Sequence, residues 1–156
     1  MAHIDDDLRD LLECGVAIVI GTHDGGCMPE IARGWGLHVL PDRTTVEVCV
    51  GMPSSRRTLE NLANNGRIAV TCVRPMNYRQ VQLKGSDARA LAPTPEDLER
   101  VQRHQVAFAR EVDHVGIPAA QAPGFWAHDT EPMVKVRFTV AEGFDQTPGP
   151  DAGRRL

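Results

Sequence analysis

The sequence predicts a mainly β fold with peripheral helices, its strands joined into an antiparallel sheet or barrel. Three observations predict it: short runs rich in β-branched residues recur along the chain, hairpin-type turns separate them, and no alternating βαβ pattern occurs. At 156 residues the chain suits one domain with one core. That domain is assigned to residues 1–142. Residues 143–156, DQTPGPDAGRRL and its flank, read as an irregular Pro/Gly-rich tail.

The elements follow in order. Residues Asp5 to Cys14 form an amphipathic helix with Leu8, Leu11 and Leu12 on one face, aspartates at its start and Gly15 after its end. Val16 to Thr22 is a buried strand. His23-Asp24-Gly25-Gly26 turns the chain into a second strand, Met28 to Leu40, where Gly34 and Gly36 suggest a bulge or a close approach. A turn at Pro41 to Thr44 leads to a third strand, Thr45 to Gly51, with Val46, Val48 and Val50 alternating. The period then changes: residues 55–63 are a short helix, capped by Ser54 or Ser55 and stopped by Asn64-Asn65-Gly66. Arg67 to Val73 is a fourth strand, and Tyr78 to Leu91 a long fifth one, bulged at Gly85. Thr94-Pro95-Glu96-Asp97 starts a longer helix with Leu98, Val101, Gln105, Phe108 and Val112 at spacings of three and four. A loop over Gly116 to Gly124 precedes the last strand, Met133 to Ala141.

Composition narrows the function classes. A formal net charge of -4 argues against a nucleic-acid binder, although a local basic pocket for one phosphate is compatible with it. The acidic start MAHIDDDLRDLL does not read as a signal peptide, and no apolar run reaches the roughly 20 residues that span a bilayer. A cytoplasmic protein that acts on a small molecule is the expectation. The four cysteines, Cys14, Cys27, Cys49 and Cys72, form no Cys-x-x-Cys pair and read as reduced core or near-core thiols. The six histidines are scattered, with His104 and His114 on or near one helix but ten residues apart, so no metal site is expected. No nucleophile-elbow, Walker or H-E-x-x-H motif occurs, and RGWGL is no dinucleotide fingerprint because no helix follows it.

Three segments in this order resemble the pyridoxamine 5′-phosphate oxidase-like proteins: VAIVIGTHDGGCMPEIARGWGL, SSRRTLENLANNGRIAV and RQVQLKG. The likeness covers roughly residues 10 to 91, with weaker support to 142. It implies a six-stranded antiparallel split β-barrel of the FMN-binding type. It also implies a homodimer with cofactor sites at the subunit interface, and FMN-dependent redox chemistry on an unknown small molecule. Alternatives on the same fold are a non-catalytic flavin or haem-binding module, a deazaflavin-dependent reductase, or a chain that keeps no cofactor.

By this resemblance Arg56 and Arg57 hold the FMN phosphate. Arginine offers a planar fork for phosphate, the helix start adds free N–H groups, and Ser55 and Thr58 add hydroxyls. Arg57 replaces the family's Lys. The alternative is a solvated helix start with two surface arginines. Gln80 matches the family's flavin-contacting Gln, or is an outward polar residue on a strand. In the second strand Arg33, Gly34 and Trp35 match the FMN-lining segment; the small glycines would admit a flat ring, and Trp35 either stacks on it or sits in the barrel wall. Val50 and Gly51 match another lining strand end, or are core and turn. No catalytic acid or base stands out. True pyridoxamine phosphate oxidases carry a C-terminal segment with Arg and His for the substrate phosphate. This chain shows none, so vitamin B6 synthesis is not expected. Its own substrate pocket is expected around the long helix and the Phe125 to His128 loop, with Trp126 and His128 as candidates.

Overall fold

The computed structural model describes residues 3–126 and 132–156. Helix α1 (Asp6–Glu13) opens the chain, with the Asp5 side chain accepting from the Leu8 N–H at 2.8 Å. Strands β1 (Ala17–His23), β2 (Pro29–Val39) and β3 (Thr45–Gly51) form an antiparallel meander, followed by α2 (Arg56–Asn65). Then come β4 (Ile68–Val73), β5 (Gln80–Gly85), β6 (Arg89–Leu91), α3 (Pro95–Asp113), a 3-10 helix (Ala119–Phe125), β7 (Met133–Thr139) and β8 (Glu142–Asp145). The eight strands form one antiparallel sheet in the order β6-β7-β3-β2-β1-β4-β5-β8.

The strand count is thus eight and not six, for two reasons. The expected long strand over residues 78–91 is broken into β5 and β6, which lie at different ends of the sheet. A Cβ on Gly85 would lie 2.6 Å from the Thr139 carbonyl oxygen and 2.7 Å from the Phe138 ring, so the chain is pressed against β7 there and turns across to it. Asp87 fixes the crossing by accepting from the Thr139 N–H at 2.8 Å. The tail is also ordered differently from expectation: β8 pairs with β5, and the last residues run back beside it through Gly153 N–H to Asp145 C=O (2.6 Å) and Leu156 N–H to Gly143 C=O (2.9 Å). The expected loop at 116–124 contains the 3-10 turn.

Two short links, 86–88 and 140–141, therefore carry the chain between the two ends of the sheet. Links this short require the ends to meet, so the sheet is strongly curled. Its concave side holds the main core: Ile18, Ile20, Val46, Val48, Val50, Val70, Leu83, Val136 and Phe138, all at or near zero exposure, closed by Leu8, Leu11 and Leu12 of α1. Each such side chain contributes about 1.5–3 kcal/mol of apolar burial.

A second core lies on the convex side, where α3 packs Val101, Phe108 and Val112 against Trp35 and Cys49. α3 starts with the expected capping box, Thr94 and Asp97 bonding each other's backbone N–H groups. Its approach requires Gly36: φ is +62°, and a Cβ would meet the Val101 backbone N at 3.0 Å. The same glycine sits where the β2–β3 register shifts, which is the expected bulge. Ion pairs lock the helix down: Lys135 Nζ lies 2.8 Å from Asp97 and 3.5 Å from Glu47, and Arg137 holds Glu47 at 2.5 Å. All four cysteines are free, but Cys27 is exposed in the β1–β2 turn and is no core thiol. Burial pushes the Cys49 thiol up to about 12. Among the described residues no helix is long and apolar enough to cross a membrane.

Candidate functional site

Most of the sequence-derived candidates converge on one corner, where β2 and β3 meet the start of α2. Gly34 pairs with Val50, which sets Arg33 level with Gly51. The chain leaves Gly51 for α2, and Ser55 N–H donates back to the Gly51 carbonyl at 3.2 Å.

The start of α2 differs from those of α1 and α3. Those two carry a side-chain cap and acids in the first turn; α2 has neither. Ser55 is the N-cap by position, yet its hydroxyl caps nothing, and it and the Thr58 hydroxyl are buried without partners. Arg56 and Arg57 are exposed. Arg57 has one long contact, 3.7 Å to Glu30, while Arg56 makes no ion pair among the described residues. Two cations at the positive end of a helix repel its dipole. A bound anion would reverse the sign of that interaction.

Arg33 lies on the convex face of the sheet. Its guanidinium stacks over Trp35 and Phe108, 4.9 and 4.8 Å from the ring centroids, while Nε and Nη2 are buried without a hydrogen bond. Burial draws its pKa below the ordinary arginine value, and the two rings supply the compensating attraction.

Three expectations change their physical basis here. Gly34 leaves no gap for a flat ring, because a Cβ there would meet Ile18 Cγ2 at 2.6 Å and Val48 Cγ2 at 2.9 Å; the core needs this glycine. Trp35 is fully buried, edge-on to His104, Phe108 and Trp126 at 5.5–6.0 Å, so it braces α3 and offers no open stacking face. Val50 is likewise wholly buried in the main core.

Gln80 is not brought to this corner. It opens β5 opposite Val73, and its backbone is bonded to Gln146 and Thr147. Three strand spacings, roughly 14 Å, separate β5 from β2. Trp126 packs against the convex core. His128 lies outside the described residues.

His104 is a hydrogen-bonded core histidine, one of the two readings that sequence reasoning preferred for it. Its Nδ1 accepts from the Gly36 N–H at 3.1 Å and its Nε2 donates to the Val16 carbonyl at 2.9 Å. Burial, with the charge of Arg33 adding to it, pulls its pKa to about 4. Sequence reasoning missed a groove of about 600 Å³ on the convex face beyond the end of β1.

Comparisons with known proteins bear on the fold. No family model matches the sequence, and no curated protein resembles it at a significant level. Solved structures do. HupZ of Group A Streptococcus superposes with a TM-score of 0.58 at 18% identity, over 96% of this chain and 99% of that one. A proposed pyridoxamine 5′-phosphate oxidase from Lactobacillus delbrueckii gives 0.55 at 12% identity, over 91% and 93%. An F420 reductase gives 0.51 at 15% identity, over 86% and 94%. The chain therefore has the fold of the pyridoxamine 5′-phosphate oxidase-like proteins. That is the fold the opening hairpin, the SSRRTLENLANNGRIAV segment and RQVQLKG resemble.

Proposed function

We propose that this chain is an FMN-binding split-barrel protein whose cofactor phosphate sits at the start of α2, and that it acts as a flavin-dependent oxidoreductase on a small molecule. One observation carries the reading: α2 begins with two arginines, no acid, no side-chain cap and two buried hydroxyls without partners. A phosphate supplies the acceptors that Arg56, Arg57 and the first-turn N–H groups lack. When bound, FMN supplies the electron and hydride chemistry. The chain's own residues would bind and orient it. Arg33, level with Gly51 and carrying unpaired donors, would face an anionic or carbonyl edge. Trp35 and Val50 would hold the wall rigid, and the Gly34 and Gly51 backbones would line it.

The protein acts, in this reading, as a homodimer. The convex faces of β1 and β2 carry Val19 and Ile31, 37% and 70% exposed, with no helix packed over them. A second copy laid on this face would cover both. It would also let Gln80 of the other copy approach a site that it cannot reach within one chain.

The test is the visible spectrum of the purified protein before and after incubation with FMN and removal of the excess. The expected result is a retained flavin spectrum, with Arg56→Ala/Arg57→Ala binding at least about tenfold more weakly. Protein that stays colourless, with no binding in titration, overturns the proposal; a Soret band redirects it to haem. F420 shares the phosphate chemistry, so competition between FMN and F420 separates the two cofactors. Reduction of bound flavin by NADH or NADPH with turnover of an acceptor separates the oxidoreductase from a redox-idle carrier.

A further inference from the structure

We infer that the groove beyond the end of β1 is a second binding site, for a small organic anion with a flat apolar body. It holds none of the residues assigned to FMN. Its volume, about 600 Å³, is that of small-molecule sites.

The floor is built by register. Gly21 pairs with Ala69 and Ala69 with Lys84, so one row across β1, β4 and β5 runs from two minimal side chains to a cation. Their neighbours Ile20 and Val70 point into the core, which turns this row to the convex face. Gly21 has no packing reason to be glycine: its φ is not positive, and the nearest atom to an added Cβ would be 3.8 Å away, the Ala69 carbonyl oxygen. What the missing side chain leaves is open floor. This contrasts with Gly34, where the neighbours already fill the space.

The walls carry unspent positive charge. Arg67 and Lys84 both line the groove, and neither makes an ion pair among the described residues. Lys84 Nζ instead rests 4.9 Å above the Phe144 ring. The carboxylate in the lining, Glu142, is taken by Arg155 at 2.8 Å. His23 Nδ1 is bonded to the Asp24 carbonyl at 2.8 Å, which leaves Nε2 free. A flat apolar body on Gly21 and Ala69 would place a carboxylate or phosphate between Lys84 and Arg67.

Amide shifts of the ¹⁵N-labelled full chain, titrated with phenyl phosphate, benzoate, benzyl alcohol and inorganic phosphate, test this. Both aryl anions are expected to move the Gly21, Ala69 and Lys84 amides saturably, and the neutral alcohol and bare phosphate to bind at least about fivefold more weakly. Lys84→Met and Arg67→Gln should each weaken phenyl phosphate about three- to tenfold, and Gly21→Leu should abolish its binding. FMN titration should be unchanged in Lys84→Met and Arg67→Gln; Gly21→Leu is no control for FMN, because Gly21 pairs with Ile31 on the face assigned to the second copy. Shifts that do not saturate, that centre elsewhere, or that survive Gly21→Leu overturn the inference, as does inorganic phosphate binding as well as the aryl anions. If Gly21→Leu does not fold, the two cation variants decide alone. A protein that binds no FMN would still give these results, so the two readings fail separately.

Discussion

His104 ties α3 to the sheet through both ring nitrogens, one to β2 and one to the residue before β1. Accepting at Nδ1 and donating at Nε2 requires the neutral ring. The folded pKa, about 4, lies below the ordinary 6.5, because burial opposes the charge. Between those values the unfolded chain takes up a proton that the folded chain refuses. Stability therefore falls as pH drops from about 6.5 to about 4, by up to about 3 kcal/mol, and rises again with pH over the same window. Urea midpoints between pH 7 and 4.5 measure it. His104→Phe should be less stable at pH 7 by about 2–4 kcal/mol, with the Gly36 N–H and Val16 carbonyl left unpaired. Its pH slope in that window should be shallower than the wild type's. Equal slopes in both proteins would contradict this role for His104.

At the scale of elements, α3 is attached by charge as well as by apolar packing. Burial alone would raise the Asp97 carboxyl, but hydrogen bonds from Lys135, Thr94 and Arg100 outweigh it and hold it well below the ordinary range. Asp97→Asn removes the main partner of a Lys135 that is 6% exposed. The expected cost is about 3 kcal/mol, a fall in Tm of about 10 °C by differential scanning calorimetry. The capping box at this helix was legible in the sequence because its signals are local: Thr94, Pro95 and Asp97 stand side by side. So were the first three strands, the start and stop of α2, and the bulge at Gly36, although Ser55 stands at the cap position without capping. The run Gly85-Ser86-Asp87 carries turn-type residues, but the crossing of the chain from β5 to the far end of the sheet was not legible, because its cause, the Phe138 ring, lies some fifty residues away. β8 was missed for the same reason, since its partner strand is remote and its own composition reads as loop. The arginine pair at α2 was legible as a phosphate motif. The crowding at Gly34, the complete burial of Trp35 and the roughly 14 Å that part Gln80 from β2 were not, because each depends on tertiary neighbours.

At the scale of the molecule, the convex sheet face divides in two. One part is covered by α3; the other presents Ile31 and Val19 to solvent. If a second copy covers the open part, Ile31→Glu should convert a dimer of about 34 kDa, twice the chain mass of 17.1 kDa, into a monomer. Light scattering coupled to gel filtration reads this directly, with circular dichroism confirming that the variant is folded. A wild-type chain that elutes as a monomer at micromolar concentration would rule the dimer out.

The pairing of β5 with β8 also governs how the chain reaches this shape during synthesis. β5 is complete at Gly85, but the strand that covers its outer edge ends at Asp145. While those sixty residues are still being made, β5 presents an unpaired backbone edge, open to pairing with another nascent chain. The contact that seals it is among the most distant in the sequence and must form late. Truncation before residue 142 would therefore leave that edge permanently open, and such fragments should aggregate while the full chain stays in solution.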